Sequence, residues 1–125
     1  MTKILLIEDD HMLQKMYKTI LTKEGYSIET AVDGRDGLNK ANANEPDLIV
    51  LDMLMPNMNG LDFLRAYDIL SKHPKVKVIA FSNTDQPKWV DEAMALGVKK
   101  YMAKYSFSPK AMVGLIHETL AEKGN

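Results

Sequence analysis

Three carboxylates of the sequence follow short apolar runs, so they meet in space if those runs are neighbouring strands. Glu8 and Asp9 come after the run that starts at Ile4, and Asp52 comes after the run that starts at Leu48. Carboxylates gathered in one place repel one another, and their pKa values rise unless a cation lies among them. A site with oxygen ligands and no cysteine favours Mg²⁺, with Mn²⁺ as an alternative, over Zn²⁺.

A hydroxyl and a lysine follow two further apolar runs and complete a site for a phosphoryl group. Ser82 comes after Val78-Ile79-Ala80-Phe81, and Lys104 ends the stretch YMAK. Lys104 and a cation would neutralise the phosphoryl oxygens, Ser82 would donate a hydrogen bond, and a carboxylate would act as the nucleophile. Asp52 is the best-placed nucleophile because its strand is predicted to lie at the centre of the sheet.

The elements that must position these side chains alternate between strand and helix patterns. Strands are predicted at Ile4–Ile7, Tyr26–Ala31, Leu48–Leu51, Val76–Phe81 and Val98–Met102. Helices are predicted from Met12 to a stop at Gly25, from Gly34 to Ala43, from Leu61 to before Pro74, from Pro87 to a stop at Gly97, and from an N-cap at Ser108 onward. This order predicts an α/β fold with a five-stranded parallel sheet and helices on both faces. Ligands of such doubly wound sheets bind at the carboxyl ends of the strands.

Length and composition predict one domain, residues 1–125, with a single core. Of the residues, 46% are hydrophobic and 26% are charged, and the net charge of −1 comes with no basic stripe for nucleic acid. The apolar runs are too short to cross a membrane, and the first strand leaves no room for a signal peptide. We therefore expect a cytoplasmic protein with no direct nucleic-acid or membrane partner.

The order and spacing of these residues resemble those of the receiver domain of two-component response regulators. The resemblance rests on the acidic pair Glu8-Asp9, the stretch DMLMPNMNG from Asp52, the hydroxyl of Ser82, and YMAK ending at Lys104. It covers all 125 residues and implies a stand-alone receiver without an output domain. It also implies a flavodoxin-like (βα)5 fold with strand order 2-1-3-4-5.

The resemblance implies a role for each acidic residue. Asp52 would accept a phosphoryl group from a phosphohistidine on a sensor histidine kinase, in a signalling switch rather than an enzyme. Asp9, Asp52 and the backbone carbonyl of Leu54 would bind Mg²⁺, and Glu8 would act through a metal-bound water. Asp10 is instead predicted to cap the first helix, with a metal role as the alternative.

The resemblance also implies a switch that involves Ser82 and Tyr101, the hydroxyl and aromatic pair that rearranges on phosphorylation. The rearrangement would change the surface of the fourth helix, fifth strand and fifth helix, where a downstream protein or a second copy of the chain would bind. This region is the most aromatic of the chain, with Trp89, Tyr101, Tyr105 and Phe107. Aromatic side chains are favoured anchors at protein interfaces.

Three other functions share part of this pattern. A flavin-binding electron carrier needs a Ser-, Thr- and Gly-rich loop after strand one, where this chain has acids. A Mg²⁺-dependent aspartyl phosphatase of the haloacid dehalogenase type needs an acid two residues after the nucleophile, and Leu54 stands there. A phosphorelay intermediate, which passes its phosphoryl group to a histidine phosphotransfer protein, remains open.

The chain departs from the receiver pattern directly after Lys104. Most receivers have a cis proline there, whereas this chain has Tyr105. A cis bond costs roughly 2.5–4 kcal/mol before a residue other than proline, against about 0.5–1 kcal/mol before proline. We therefore predict a trans Lys104–Tyr105 bond, with the extra residue before Phe107 allowing the last helix to begin beside its cap at Ser108.

Overall fold

The computed structural model describes residues 1–106 and 108–122, in which five strands alternate with helices. The strands are β1 (Lys3–Ile7), β2 (Ser27–Ala31), β3 (Leu48–Leu51), β4 (Lys77–Ser82) and β5 (Lys100–Ala103). The main helices are α1 (His11–Lys23), α2 (Gly34–Ala43), α3 (Gly60–Tyr67), α4 (Pro87–Ala95) and α5 (Pro109–Ala121). A one-turn helix, Ile69–Lys72, follows α3, and a 3₁₀ turn, Lys104–Ser106, follows β5. None of the described helices has the length and apolarity needed to cross a bilayer.

The strands form one parallel sheet in the order β2-β1-β3-β4-β5, which confirms the predicted α/β fold and strand order. The chain first winds from β1 out to β2 and then returns past β1 to β3, so the winding direction reverses between β1 and β3. In the ladder between these strands Ile7 pairs with Leu51, the last residue of each. The residues that follow both strands therefore emerge side by side where such sheets bind ligands.

The sheet is buried on both faces, which explains why its strands are apolar without alternation. In β1, Leu5 and Ile7 belong to the core under α2, α3 and α4, whereas Ile4 and Leu6 belong to the core under α1 and α5. Both cores hold fully buried side chains. A slip by one residue would exchange the side chains of the two cores.

The prediction of one continuous third helix, from Leu61 to before Pro74, was wrong. Helix α3 ends at Tyr67, Asp68 adopts a left-handed conformation with φ of 55°, and a single turn then begins at Ile69. The break leaves Ile69 buried in the core. The ring of His73, just after this turn, stacks on Tyr67 at a centroid distance of 3.9 Å. Apolar spacing continues across the break, so the sequence pattern does not reveal it.

The predicted bounds of the last two strands also differ from the observed ones. Strand β4 extends to Ser82, and β5 begins at Lys100 rather than at Val98. Val98 is buried but precedes the ladder, which begins where Ile79 pairs with Lys100. The apolar side chain of Val98 is typical of a buried strand, but here it is buried without taking part in the ladder.

Candidate functional site

The carboxyl ends of β1 and β3 bring two buried carboxylates together. Glu8 and Asp52 each follow the last residue of their strand and are only 3% and 4% exposed. The backbone N–H of Asp52 donates to the carbonyl of Ile7 at 3.0 Å, which extends the pairing past the ends of both strands. The neighbouring Asp9 is exposed, and carboxylate oxygens of all three residues lie within 4.8 Å of one another. The structure thus gathers the predicted acidic cluster.

Lys104 reaches this cluster from the 3₁₀ turn after β5. Its Nζ lies 2.7 Å from Oε1 of Glu8 and 3.2 Å from Oδ2 of Asp52, and its side chain is 10% exposed. Burial acts to lower the pKa of Lys104, but the hydrogen bond to Glu8 and the charge of Asp52 outweigh burial, so that the pKa is raised. The lysine is therefore a fixed positive charge between two carboxylates.

Asp52 lies where its negative charge is poorly solvated. Burial and the charge of Glu8 raise the pKa of Asp52 to about 7, against the opposing effects of Lys104 and of the Leu54 backbone N–H, which donates to Oδ1 at 3.2 Å. When a buried carboxylate lies beside a second carboxylate, a cation that binds there stabilises its ionised form. The site therefore favours the binding of positive charge.

The donors of the cluster fit a hard divalent cation. Glu8, Asp9 and Asp52 offer carboxylate oxygens, the ligands that Mg²⁺ and Mn²⁺ prefer. Asp10 does not join them, because its Oδ1 accepts hydrogen bonds from the backbone N–H groups of Met12 and Leu13 at 3.0 and 3.1 Å. The predicted cap of α1 is confirmed.

Ser82 and Tyr101, the two residues predicted to form the switch, both hydrogen-bond to the backbone of Thr84, in the loop between β4 and α4. The buried Oγ of Ser82 accepts a hydrogen bond from the backbone N–H of Thr84 at 3.3 Å. The hydroxyl of Tyr101, in β5, donates to the carbonyl of Thr84 at 2.7 Å. Burial raises the pKa of Tyr101, so its hydroxyl is a donor at neutral pH. Any movement of this loop therefore changes the surroundings of both residues.

The predicted aromatic surface is only partly exposed. Trp89 and Tyr101 are half-buried and pack against the core, whereas Tyr105 is 71% exposed. The Tyr105 hydroxyl donates to Oδ2 of Asp85 at 2.7 Å, which links the turn after β5 to the loop after β4. Phe107 lies outside the described residues.

The peptide bond after Lys104 and the cap of the last helix are as predicted. No cis peptide bond occurs among the described residues, so the Lys104–Tyr105 bond is trans. The chain forms a 3₁₀ turn over Lys104–Ser106, and α5 then begins at Pro109. Oγ of Ser108 accepts a hydrogen bond from the backbone N–H of Ala111 at 3.1 Å. Both the trans bond and the cap are confirmed.

Sequence reasoning missed two sets of polar contacts beside the site. Asp33, 9% exposed, accepts a hydrogen bond from Nδ2 of Asn57 at 2.7 Å. Gln14, on α1, donates through Nε2 to the carbonyls of Glu8 and Ala31, both at 3.0 Å. The Asp-Gly pair at 33 predicts a helix cap, but no signal in the sequence links it to Asn57, 24 residues later.

Comparison with known proteins agrees with this geometry. The family model described as response regulator receiver domain matches residues 4–117. The chain is 32% identical over 117 residues to chemotaxis protein CheY of Thermotoga maritima, covering 93% of this chain and 95% of that protein. It is 39% identical over 84 residues to response regulator ArlR of Staphylococcus aureus, covering 67% of this chain but 38% of ArlR.

Solved structures give the same result. Chemotaxis protein CheY4 of Vibrio cholerae superposes with a TM-score of 0.86 at 28% identity, covering 95% of this chain and 98% of that one. A CheY-like response regulator receiver domain protein of Methanospirillum hungatei superposes with a TM-score of 0.89 at 27% identity, covering 96% of this chain and 94% of that one. Sequence and structure thus point to the same family.

Proposed function

This chain belongs to the response regulator receiver domain family, and from that premise we propose that Asp52 is its phosphoacceptor. Receiver domains are signalling domains that work with sensor histidine kinases. We assign a phosphohistidine of such a kinase as the donor of the phosphoryl group. The observation that carries the proposal is the position of the buried Asp52 carboxylate, within reach of both Lys104 and the acidic cluster.

In the proposed reaction, a carboxylate oxygen of Asp52 forms a bond to phosphorus while the bond from phosphorus to the histidine nitrogen breaks. The departing imidazole keeps the electrons of the broken bond and takes up a proton from solvent. Lys104, with Nζ 3.2 Å from Oδ2 of Asp52, neutralises charge on the phosphoryl oxygens. The hydroxyl of Ser82 donates a hydrogen bond to one of those oxygens.

The acidic cluster would hold the cation of this reaction. Receiver domains bind Mg²⁺ through such a cluster, and here we assign Asp9, Asp52 and the carbonyl of Leu54 as direct ligands and Glu8 as a ligand through water. Mn²⁺ has the same ligand preference. When bound, the cation supplies positive charge that stabilises the transferring phosphoryl group.

Phosphorylation would act on the rest of the molecule through the loop after β4. A phosphoryl group on Asp52 attracts the hydroxyl of Ser82, whose Oγ now accepts from Thr84. Release of Thr84 alters the loop that the Tyr101 hydroxyl contacts, and Tyr101 then turns inward. We propose that this changes the surface of α4, β5 and α5, where a downstream protein or a second copy of the chain binds.

The phosphoacceptor is tested by incubating the chain with Mg²⁺ and acetyl phosphate, a small-molecule phosphoryl donor, and measuring its intact mass. We expect the mass of one phosphoryl group to be added to the wild type and not to Asp52→Asn. Asp62→Asn, an exposed change in α3, is the matched control and should be phosphorylated normally. An unchanged wild-type mass would refute the proposal. Continuous release of many phosphates per chain would instead favour the aspartyl phosphatase alternative.

The switch is tested by recording amide chemical shifts before and after adding beryllofluoride, a mimic of the phosphoryl group. We expect shifts at Thr84 and Tyr101 and along α4. Tyr101→Phe should bind the mimic but lose the shifts in α4. If the changes in the wild type stay confined to the loops that carry Asp9, Asp52 and Lys104, the proposed output surface is wrong.

A further inference from the structure

Among the buried carboxylates of the described residues, Asp33 alone has no part in the proposed reaction. It precedes α2, and its two oxygens have separate partners. Oδ1 accepts a hydrogen bond from the backbone N–H of Asp36 at 2.8 Å, as a helix cap does. Oδ2 accepts from Nδ2 of Asn57 at 2.7 Å, in the loop between β3 and α3. One oxygen of Asp33 therefore caps α2, and the other binds the side chain of Asn57 in a neighbouring loop.

A backbone contact lies beside this hydrogen bond. The N–H of Gly34 donates to the carbonyl of Met58 at 3.1 Å. A Cβ atom at position 34 would lie 2.3 Å from that carbonyl oxygen, so only glycine allows so close an approach. Asn57 itself has a φ of 67°, a left-handed conformation that asparagine tolerates better than most residues. The start of α2 and the second half of the loop thus lie against each other.

The first half of the same loop carries two of the proposed metal ligands. It begins at Asp52, whose Oδ1 accepts from the N–H of Leu54. The N–H of Gly60 donates to the carbonyl of Met53 at 2.9 Å, which closes the loop on itself. Only two residues separate Leu54 from Asn57, and the Gly60–Met53 hydrogen bond joins the two ends of the segment that contains them. A displacement of Asn57 therefore also displaces the backbone of Leu54.

We propose that Asp33 and Asn57 are positioning residues that hold the carbonyl of Leu54 and the carboxylate of Asp52 in the arrangement that binds the cation. We call their hydrogen bond the Asp33–Asn57 clamp. The inference rests on the proposed function, since it assigns the clamp to the metal site of the same reaction. Without the clamp, the loop occupies its binding arrangement for only a fraction of the time, and the apparent affinity for Mg²⁺ falls to that fraction of its intrinsic value.

The test separates metal affinity from reaction rate and from stability. Asn57→Gly removes the amide and accepts the left-handed backbone, while Asp33→Ser keeps a helix cap and removes the oxygen that Asn57 contacts. Ser108→Ala is the control, because it removes the cap of the distant α5 and leaves the loop intact. For each chain, the rate of phosphorylation by acetyl phosphate is measured over a range of Mg²⁺ concentrations. Calorimetry gives the Mg²⁺ affinity directly, and thermal unfolding gives the folded fraction.

We expect both clamp variants to need about tenfold more Mg²⁺ for half of the maximal rate. At saturating Mg²⁺ their maximal rate should return to that of the wild type, and the double variant should need no more Mg²⁺ than either single one. A merely structural role predicts a lower folded fraction with an unchanged Mg²⁺ requirement, as in Ser108→Ala, and that result would overturn the inference. A wild type that binds Mg²⁺ but is not phosphorylated would refute the proposed function, and the calorimetric affinities would still test the clamp.

Discussion

Lys104 lies closer to Glu8 than to the proposed phosphoacceptor, with Nζ 2.7 Å from Oε1 of Glu8 and 3.2 Å from Oδ2 of Asp52. Both acidic side chains are almost fully buried. Glu8 therefore fixes the position of the lysine beside Asp52 as well as adding negative charge to the cluster. In the proposed reaction, Glu8 would thus contribute both to the cation site and to the position of Lys104.

Loss of this lysine should destabilise the protein. In Lys104→Ala, Glu8 and Asp52 stay buried without a counter-charge, and the unfolding free energy at pH 7 should fall by up to roughly 3–5 kcal/mol. Added Mg²⁺ should restore part of that loss. Urea unfolding with and without Mg²⁺ measures both effects. Lys100→Ala is the control, because Lys100 pairs with the exposed residues Glu118 and Glu122 and its removal should destabilise the protein far less than Lys104→Ala. Equal losses in the two variants would contradict the prediction.

The raised pKa of Asp52 predicts a pH dependence of stability in the presence of a metal chelator. The folded chain holds this proton up to a pKa of about 7, whereas the unfolded chain releases it near the usual value of 3.8. Because the folded state binds the proton more tightly, the contribution of Asp52 to stability falls as pH rises between these two values. Asp52→Asn should therefore become more stable relative to the wild type from pH 4 to pH 7. A difference that stays constant over this range would show that Asp52 titrates normally.

Asp33 should show the opposite dependence. Hydrogen bonds from the backbone of Asp36 and from Asn57 hold the pKa of Asp33 below its usual value. The folded state then favours the ionised form, so the stability from Asp33 is present at neutral pH and is lost as pH falls through its lowered pKa. Asp33→Asn, which keeps a capping side chain, should be less stable than the wild type at pH 7, and this gap should close below pH 4. A gap that persists in acid would mean that the loss has another cause.

The sequence allowed the fold and the acidic cluster to be predicted, because both follow from local patterns and a general rule. Short apolar runs define the strands, and the alternation with helices places their carboxyl ends at one edge of the sheet. That rule alone brings Glu8 and Asp52 together, although 43 residues lie between them in the chain. The same rule predicts Lys104 at this edge, and its Nζ lies beside Glu8 and Asp52.

Contacts between loops could not be predicted in this way. Asp33 and Asn57 each lie in a segment with ordinary turn residues, and their meeting depends on how α2 packs beside the loop after β3. The break at Asp68 was missed for a related reason, since the apolar spacing on both sides satisfies a continuous helix. Both features depend on tertiary packing, which hydrophobic periodicity does not encode.

Leu54, two residues after the proposed phosphoacceptor Asp52, should set the lifetime of the phosphoryl group. Hydrolysis requires a water molecule aligned with the bond between phosphorus and Asp52, and a polar side chain beside that path can orient it. Leu54, 46% exposed, has no group that donates or accepts a hydrogen bond. We therefore expect the phosphoryl group to be lost slowly, over minutes or longer.

Leu54→Asn should shorten this lifetime by roughly tenfold, because its amide can hold the attacking water. The decay of the phosphorylated mass after removal of acetyl phosphate measures the rate. Leu70→Asn is the matched control, since Leu70 is also exposed, at 64%, but lies on the one-turn helix after α3 rather than in the loop that carries Asp52. This control should keep the wild-type lifetime. A wild-type half-life of seconds, or equal lifetimes in both variants, would show that Leu54 does not limit hydrolysis.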